Sequence, residues 1–467
     1  MEKTTIKARL IFGGLGLTLI LLTGLIIFFN IEKTDNNAPL NQGGLPNEAS
    51  INRQSATQTD KAPVFGANIV RPASGSVNIG QIQASGTTAT TYWVYMPRYM
   101  RNPLAVLREI DKLSKVKGNL TMYVHIMPQA RPESPDERFH RPDMNEYLPA
   151  LKQLAADLKG KVKYYSIGNE VPATWTDSLE NYKILLAESK KAIKSVNPDA
   201  VILDSGTSSG SMGMIVANSL YRAGKVGEAI TFVNGYYRLH SGPQLKGLVP
   251  VKSEADLKNL LGGSEAQKSI TFGEALFTDF CPNYETLQLH FYQEWPYLPV
   301  VMSYVKEQMR LHHCVKPVQI WELGYGVDRP ADYDLNAHAK AVPKYLAIAQ
   351  AYGAEFINTV TFYDKPGFAR GLYSSSGQMQ SPGVAFQTTV TKLTGSVFIG
   401  DRGNGKDVWI YEYSKTNKTF YVAWSTVAGQ VKIPLVGLKA TARAIDGTTS
   451  TLNPQAVALT DSPIIIE

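Results

Sequence analysis

Val162-Lys-Tyr-Tyr-Ser-Ile-Gly-Asn-Glu-Val-Pro172 decides how the chain is organised. Val162 to Gly168 is short, aromatic and apolar, which suits a buried strand, and it ends abruptly at Gly168-Asn169-Glu170. Leu179 to Val196 follows with helical spacing and stops at Asn197-Pro198. The same strand-then-helix unit recurs on both sides. Upstream, Thr91 to Pro97 reads as a strand stopped by proline, Asn102 to Val116 as a helix, Leu120 to Met127 as a strand closed by Pro128, and Met144 to Leu158 as a helix. Downstream, strands are expected at Ala200–Asp204, Leu287–Tyr292, Pro317–Leu323 and Phe356–Tyr363. Helices are expected near Leu298–His312, Ala337–Ala351 and Gly383–Leu393. Single helices between strands imply parallel pairing with right-handed crossovers. With a first strand near Val64–Val70 and a short helix at Val77–Ala84, the count reaches eight, which fits a closed (β/α)8 barrel over residues 62–395. Thr231 to Phe280 reads as an irregular insertion after the fifth unit.

After Gly395 the helices stop. Val408–Tyr413, Phe420–Trp424, Val431–Leu435, Thr441–Ile445 and Pro463–Glu467 are short strands between turn-rich links, so 396–467 is expected to form a small antiparallel β-sandwich. At the other end, Leu10 to Ile31 is a run of 22 residues without a charge. As a helix it spans about 33 Å, enough for a bilayer core. Lys3, Lys7 and Arg9 precede it, so the positive-inside rule keeps the N-terminus in the cytoplasm and exports the rest. A cleaved signal peptide is the rival reading, but its apolar core is normally shorter and no small-x-small site follows Phe28-Phe29. Residues 1–31 are therefore expected to be a cytoplasmic tip and membrane anchor. Residues 32–61, with six hydrophobic side chains in thirty and no aromatic, are expected to be a flexible tether.

Composition narrows the function. Hydrophobic residues make up 44% and charged residues 19% of 467, which supports a large core and excludes a mainly disordered chain. The net charge is +7 without any Lys/Arg block, so nucleic acid is not an expected partner. No phosphate loop or dinucleotide fingerprint stands in strand-to-helix context, and no cofactor is implied. His312, His313 and Cys314 form a possible metal trio, but adjacent histidines converge poorly on one ion, and no metal is expected. Cys281 and Cys314 are the two cysteines. They precede the sixth and seventh strands by similar distances, which leaves two readings open: a disulfide in an oxidising compartment, or two separate buried thiols.

In a barrel of this kind reactive groups lie at the C-terminal ends of strands. The fourth strand ends in Asn169-Glu170 and the seventh in Trp321-Glu322-Leu-Gly324. A lone glutamate at a strand end is commonly a solvated or salt-bridged side chain. Two of them suit glycosidic bond cleavage, in which one carboxylic acid protonates the leaving oxygen and one carboxylate faces the anomeric carbon. The acid needs burial and a neighbouring negative charge to keep its proton.

On Asn169-Glu170-(Val171)-Pro172, His290-Phe291-Tyr292 and Trp321-Glu322-Leu323-Gly324, in order along the whole barrel, the sequence resembles clan A of the glycoside hydrolases, the retaining (β/α)8 glycosidases. The attached β-module is similar to that of family 39 and its relatives, and the Gly-Asn-Glu wording is similar to families 17 and 53. The resemblance implies Glu170 as acid/base, Glu322 as nucleophile and Asn169 as a donor to the sugar 2-hydroxyl. It implies Tyr292 as hydrogen-bond donor to the nucleophile, with His290 beside it. The clan's eighth-strand tryptophan, the floor of the sugar subsite, is missing, so Phe362 or Tyr363 would have to replace it. Arg98 stands where many members place a basic residue. Trp175 and Trp295 either stack on sugar or pack loops, and His125 is either a structural histidine or a subsite residue. Trp93 reads as a strand residue facing core or helix. The expected protein is a membrane-tethered retaining glycoside hydrolase acting on an extracytoplasmic polysaccharide. A transglycosylase on the same two glutamates remains an alternative, as does an inactive carbohydrate-binding or polysaccharide-assembly protein.

Overall fold

The computed structural model describes residues 62–69, 78–114, 120–129, 139–241, 250–327, 332–364, 370–404, 406–427, 429–435 and 439–467. The apolar run 10–31 and the tether 32–61 lie outside the described residues. Among those described, no helix is long and apolar enough to cross a membrane.

Eight strands form one parallel sheet: β1 (Val64–Ala67), β2 (Ala89–Tyr95), β3 (Thr121–Met127), β4 (Val162–Ile167), β5 (Val201–Leu203), β6 (Leu287–Phe291), β7 (Val318–Leu323) and β8 (Ala354–Thr359). The order is β5-β4-β3-β2-β1-β8-β7-β6, and parallel bridges Leu203–Thr286 and Thr207–Leu289 join the two ends into a barrel. Inward side chains fill the lower interior. Tyr123 stacks between Tyr164 and Phe356, with ring centroids 4.5 and 3.7 Å away, and Trp321 meets Tyr123 edge-on at 5.4 Å. The floor of the barrel is thus a packed aromatic core rather than a channel.

Most helices fall where the periodicity places them, for example Leu179–Val196 and Leu298–Leu311. Two stretches differ. Pro97 does not stop a strand: β2 ends at Tyr95, and Met96–Arg101 is a helix with the proline in its first turn, where its missing N–H costs nothing. The described parts of Thr231–Phe280 are largely helical. The region carries helices Val226–Tyr236, Glu254–Gly262 and Ser264–Phe277, preceded by Ser209–Arg222. Glycines disguise them, since each lowers helix propensity. Here they are contact points: a Cβ at Gly213 would overlap the Tyr237 hydroxyl, and one at Gly235 the Tyr297 hydroxyl.

Among the described residues the C-terminal module has eight strands, three more than the sequence suggests. β9 (Val397–Asp401), β10 (Val408–Lys415), β11 (Lys418–Ser425), β13 (Ala440–Ala444), β14 (Thr449–Leu452) and β16 (Ile464–Ile466) form one antiparallel sheet. β12 (Gly429–Val431) pairs with β15 (Val457–Leu459) in a second. Alternation divides β10 and β11 between two cores. Ile410, Tyr421 and Ala423 pack inside the sandwich, while Trp409, Tyr413, Phe420 and Trp424 belong to the main core shared with the barrel. Helix Leu335–Ala351 lies between barrel and module, so every residue from Ala341 to Ala351 is buried. The Tyr413 hydroxyl donates to the Ala347 carbonyl at 2.7 Å.

Candidate active site

Two departures from regular strand geometry aim the carboxylates. After β4 the chain turns sharply: Gly168 has φ 85° and Glu170 φ 47°, both left-handed. That conformation costs a non-glycine residue about 1–2 kcal/mol. The Glu170 amide is held by the Ser205 carbonyl at 2.9 Å, and a four-residue helix, Val171–Thr174, starts directly after it. On β7 the pairing with β8 is irregular between Ile320 and Leu323. A regular strand sends neighbours to opposite faces. Here Trp321 enters the interior core and Glu322, the next residue, still reaches the barrel mouth.

The two glutamates meet around His290. An oxygen of Glu170, an oxygen of Glu322 and a ring nitrogen of His290 all lie within 4.8 Å of one another. His290 Nδ1 is 2.8 Å from Glu170 Oε1 and 3.5 Å from Glu322 Oε2. The Tyr292 hydroxyl donates to Glu322 Oε2 at 2.5 Å. Tyr292 is fixed in turn, because its amide donates to Ser209 Oγ at 3.0 Å and a Cβ at Gly324 or Gly326 would strike it. Glu322 is buried and Glu170 is about a quarter exposed, so the cleft opens on the Glu170 side.

Charges in the site hold one another. Burial opposes a charge on His290, but the Glu322 and Glu170 carboxylates outweigh it and raise its affinity for a proton. Burial and the nearby Glu322 raise Tyr292 well above the usual phenol range, which keeps it a donor. One level down, at the end of β5, Asp204 is fully buried and pushed up to about 7 by desolvation, despite accepting from the amides of Gln288 and Gly206. Gln288 places its amide 2.7 Å from His290 Nε2 while its Oε1 has no partner. The amide N–H donates to Nε2, which leaves the ring proton on Nδ1, facing Glu170. Nδ1 becomes the nitrogen that exchanges a proton with Glu170.

Two carboxylates and an imidazole are also a donor set that metal ions accept. One oxygen of each carboxylate is already engaged with His290 or Tyr292. Cys314 is disulfide-bonded to Cys281, which removes it from any trio with His312 and His313.

The structure brings Glu170, Glu322, His290, Tyr292, Asn169 and His125 to one end of the barrel. Asn169 is buried with its Oδ1 unpartnered. His125 is fully buried, 6.4 Å from the His290 ring and 4.7 Å from Trp321. Its ring nitrogens make no well-formed hydrogen bond, with only a loose contact to the Gly168 backbone, and burial holds it well below the usual imidazole range. The remaining candidates go elsewhere. Arg98 sits on the helix after β2 and pairs with Glu109 on helix Pro103–Ser114, away from the carboxylates. Trp175 is buried against Tyr182, with its indole N–H on the Ser178 carbonyl. Trp295 stands edge-on to Trp409 and Trp424, where it joins barrel to module. Tyr363 is buried, donates to Gln81 Oε1 at 2.6 Å and accepts from the Asn78 amide, and Phe362 is buried against Tyr373. Both follow the end of β8 at Thr359 and are closed off by these contacts.

Sequence reasoning passed over Gln288 and Asp204. Gln288 was legible, since Gln288, His290 and Tyr292 share the period-two face of β6. Asp204 carried no local signal; only the approach of the Gln288 amide marks it.

No family model and no curated protein matches this sequence. Among solved structures, a family 39 glycoside hydrolase from Bacteroides cellulosilyticus WH2 aligns over 87% of this chain and 81% of its own, with TM-score 0.60 and 14% identity. CelM2, a bifunctional glucanase-xylanase from a metagenome library, aligns over 88% and 97% with TM-score 0.55 and 11% identity. A monomeric beta-xylosidase from Caulobacter crescentus CB15 aligns over 89% and 97% with TM-score 0.52 and 11% identity. These likenesses establish a shared fold. The resemblance to the clan A glycoside hydrolases holds at that level, and the neighbours named here are glycoside hydrolases.

Proposed function

We propose that this chain is a retaining glycoside hydrolase with Glu170 as acid/base and Glu322 as nucleophile. The carrying observation is the pair itself: carboxylate oxygens within 4.8 Å, from the ends of β4 and β7. Retaining enzymes hold their carboxyl groups about 5–5.5 Å apart, while inverting ones leave room for a water at about 6.5–9.5 Å. Glu170, hydrogen-bonded to His290, gives its proton to the leaving oxygen. Glu322, steadied by the Tyr292 hydroxyl, attacks the anomeric carbon and forms a glycosyl-enzyme. Glu170 then takes a proton from the incoming water, and Glu322 leaves as the carboxylate. The asymmetry of the cleft supports these roles, since the more open Glu170 faces leaving group and water while Glu322 stays enclosed.

The substrate is an extracytoplasmic polysaccharide, and the chain is anchored by residues 10–31 with its body outside the cytoplasmic membrane. The charge flanks of the apolar run support this, as does the Cys281–Cys314 disulfide, a bond that persists in oxidising compartments. A reporter active only in the cytoplasm, fused after Glu467, is expected to be silent.

The mechanism is tested with aryl glycosides of graded leaving-group ability. Glu322→Ala abolishes turnover. Glu170→Ala loses about 10²–10⁴-fold on poor leaving groups, spares 2,4-dinitrophenyl glycosides, and with azide yields a glycosyl azide of retained configuration. Inverted product from the wild type, read by proton NMR on the first turnover, removes the assignment.

A further inference from the structure

Trp93 lies on the inward face of β2, in register with His125 on β3 and Ser166 on β4. Its ring centroid is 5.4 Å from His125. His125 in turn meets the ring of His290, which contacts both glutamates. Trp93 is therefore two ring contacts from the catalytic pair. His125, Trp321 and His290, its companions at this depth, are buried, whereas Trp93 is only half-buried. Its Nε1 is enclosed and has no hydrogen-bond partner, so the exposed part of the indole is ring carbon.

That surface has the right chemistry for a sugar. A pyranose turns polar hydroxyls outward around its edge and presents C–H groups on its face, and an indole ring accepts such a face by dispersion and desolvation. Four aromatic residues at or after the ends of other strands are closed to a sugar: Trp175, Phe362 and Tyr363 are buried, and Trp295 is engaged with the C-terminal module. We infer that Trp93 is the aromatic platform on which the reacting sugar stacks, so that the floor of the subsite comes from the second strand and not from the eighth. Asn169 Oδ1 and both ring nitrogens of His125 are enclosed and have no well-formed partners. The preferred substrate is a sugar with a continuous C–H face. This inference rests on the glycosidase reading and adds the residue that selects the sugar.

The test uses the full-length chain and 2,4-dinitrophenyl β-glycosides of glucose, xylose, mannose and galactose. On the best of these, Trp93→Phe keeps kcat/KM within about fivefold, and Trp93→Leu, equally apolar but not aromatic, loses about 10–100-fold, mostly in KM. A structural role would not separate phenylalanine from leucine when both variants melt like wild type. Equal kcat/KM in Trp93→Leu and wild type overturns the inference, and so does equal loss in both variants. If the wild type turns over none of the four, the glycosidase reading falls first. Calorimetric binding of the same glycosides to Glu322→Gln, with and without Trp93→Leu, then decides the platform. Binding lost with Trp93→Leu upholds it, and binding unchanged or absent in both overturns it.

Discussion

Replacing Tyr292 with phenylalanine isolates one hydrogen bond at the centre of the proposed mechanism. The hydroxyl donates to Glu322 Oε2 at 2.5 Å, and His290 Nδ1 stands 3.5 Å from the same oxygen, too far for a strong bond. A hydrogen bond to a charged partner contributes about 1.5–3 kcal/mol, which corresponds to about 10–150-fold in a rate constant. The effect falls unequally on the two steps. When the glycosyl-enzyme forms, Glu322 gives up its charge, so a weaker hold on the anion helps that step. When the intermediate breaks down, Glu322 leaves as an anion inside a buried site and the missing donor raises the barrier. Tyr292→Phe should therefore reduce kcat on 2,4-dinitrophenyl glycosides by about 10–150-fold while KM falls with it. A burst of dinitrophenol should appear, and intact-mass spectrometry should find the sugar on Glu322. The ring remains packed against Gly324 and Gly326, so the melting temperature should change little. A kcat within about twofold of wild type, or a loss with no burst, would refute the assignment of Tyr292 to the nucleophile.

Other outcomes follow from the same structure. Asp204 has a folded-state pKa of about 7 against an unfolded value near 3.8. The folded protein then binds more protons between those values, and stability should fall as pH rises from about 4 to 7. Urea unfolding of Asp204→Asn across this range should show a flatter profile, and an unchanged slope would clear Asp204 of the effect. The Cys281–Cys314 bond closes a 33-residue separation, so Cys281→Ser with Cys314→Ser should destabilise by about 3–4 kcal/mol in chemical unfolding. Trp295→Ala removes the edge-on contacts with Trp409 and Trp424 and the ring beneath Lys344. It should cost about 3–5 kcal/mol and make the linker near Leu393–Val397 sensitive to protease, with turnover at the barrel mouth retained.

What the sequence determined is what local physics can specify. Strand-and-helix periodicity announced the eight parallel units, and chemically unusual endings, Asn169-Glu170 and Trp321-Glu322, marked where the carboxylates stand. His290 and Tyr292 were legible because they share the alternating face of one strand, the arrangement that brings them together in space. Tertiary structure decided the remainder. The fate of Arg98 turned on whether Pro97 ends a strand or begins a helix, a choice open to proline in either setting. Trp175 and Trp295 are aromatic residues in loops after strands. Only the packing of Tyr182 on one and of Trp409 and Trp424 on the other sends them to structural tasks. The helices between Ser209 and Phe277 were hidden by glycines such as Gly213 and Gly235, which meet the hydroxyls of Tyr237 and Tyr297. Trp93 and Asp204 owe their positions to register between strands: Trp93 beside His125 from β3, Asp204 beneath His290 from β6. Register follows from how a whole barrel closes, and no window of local sequence contains it.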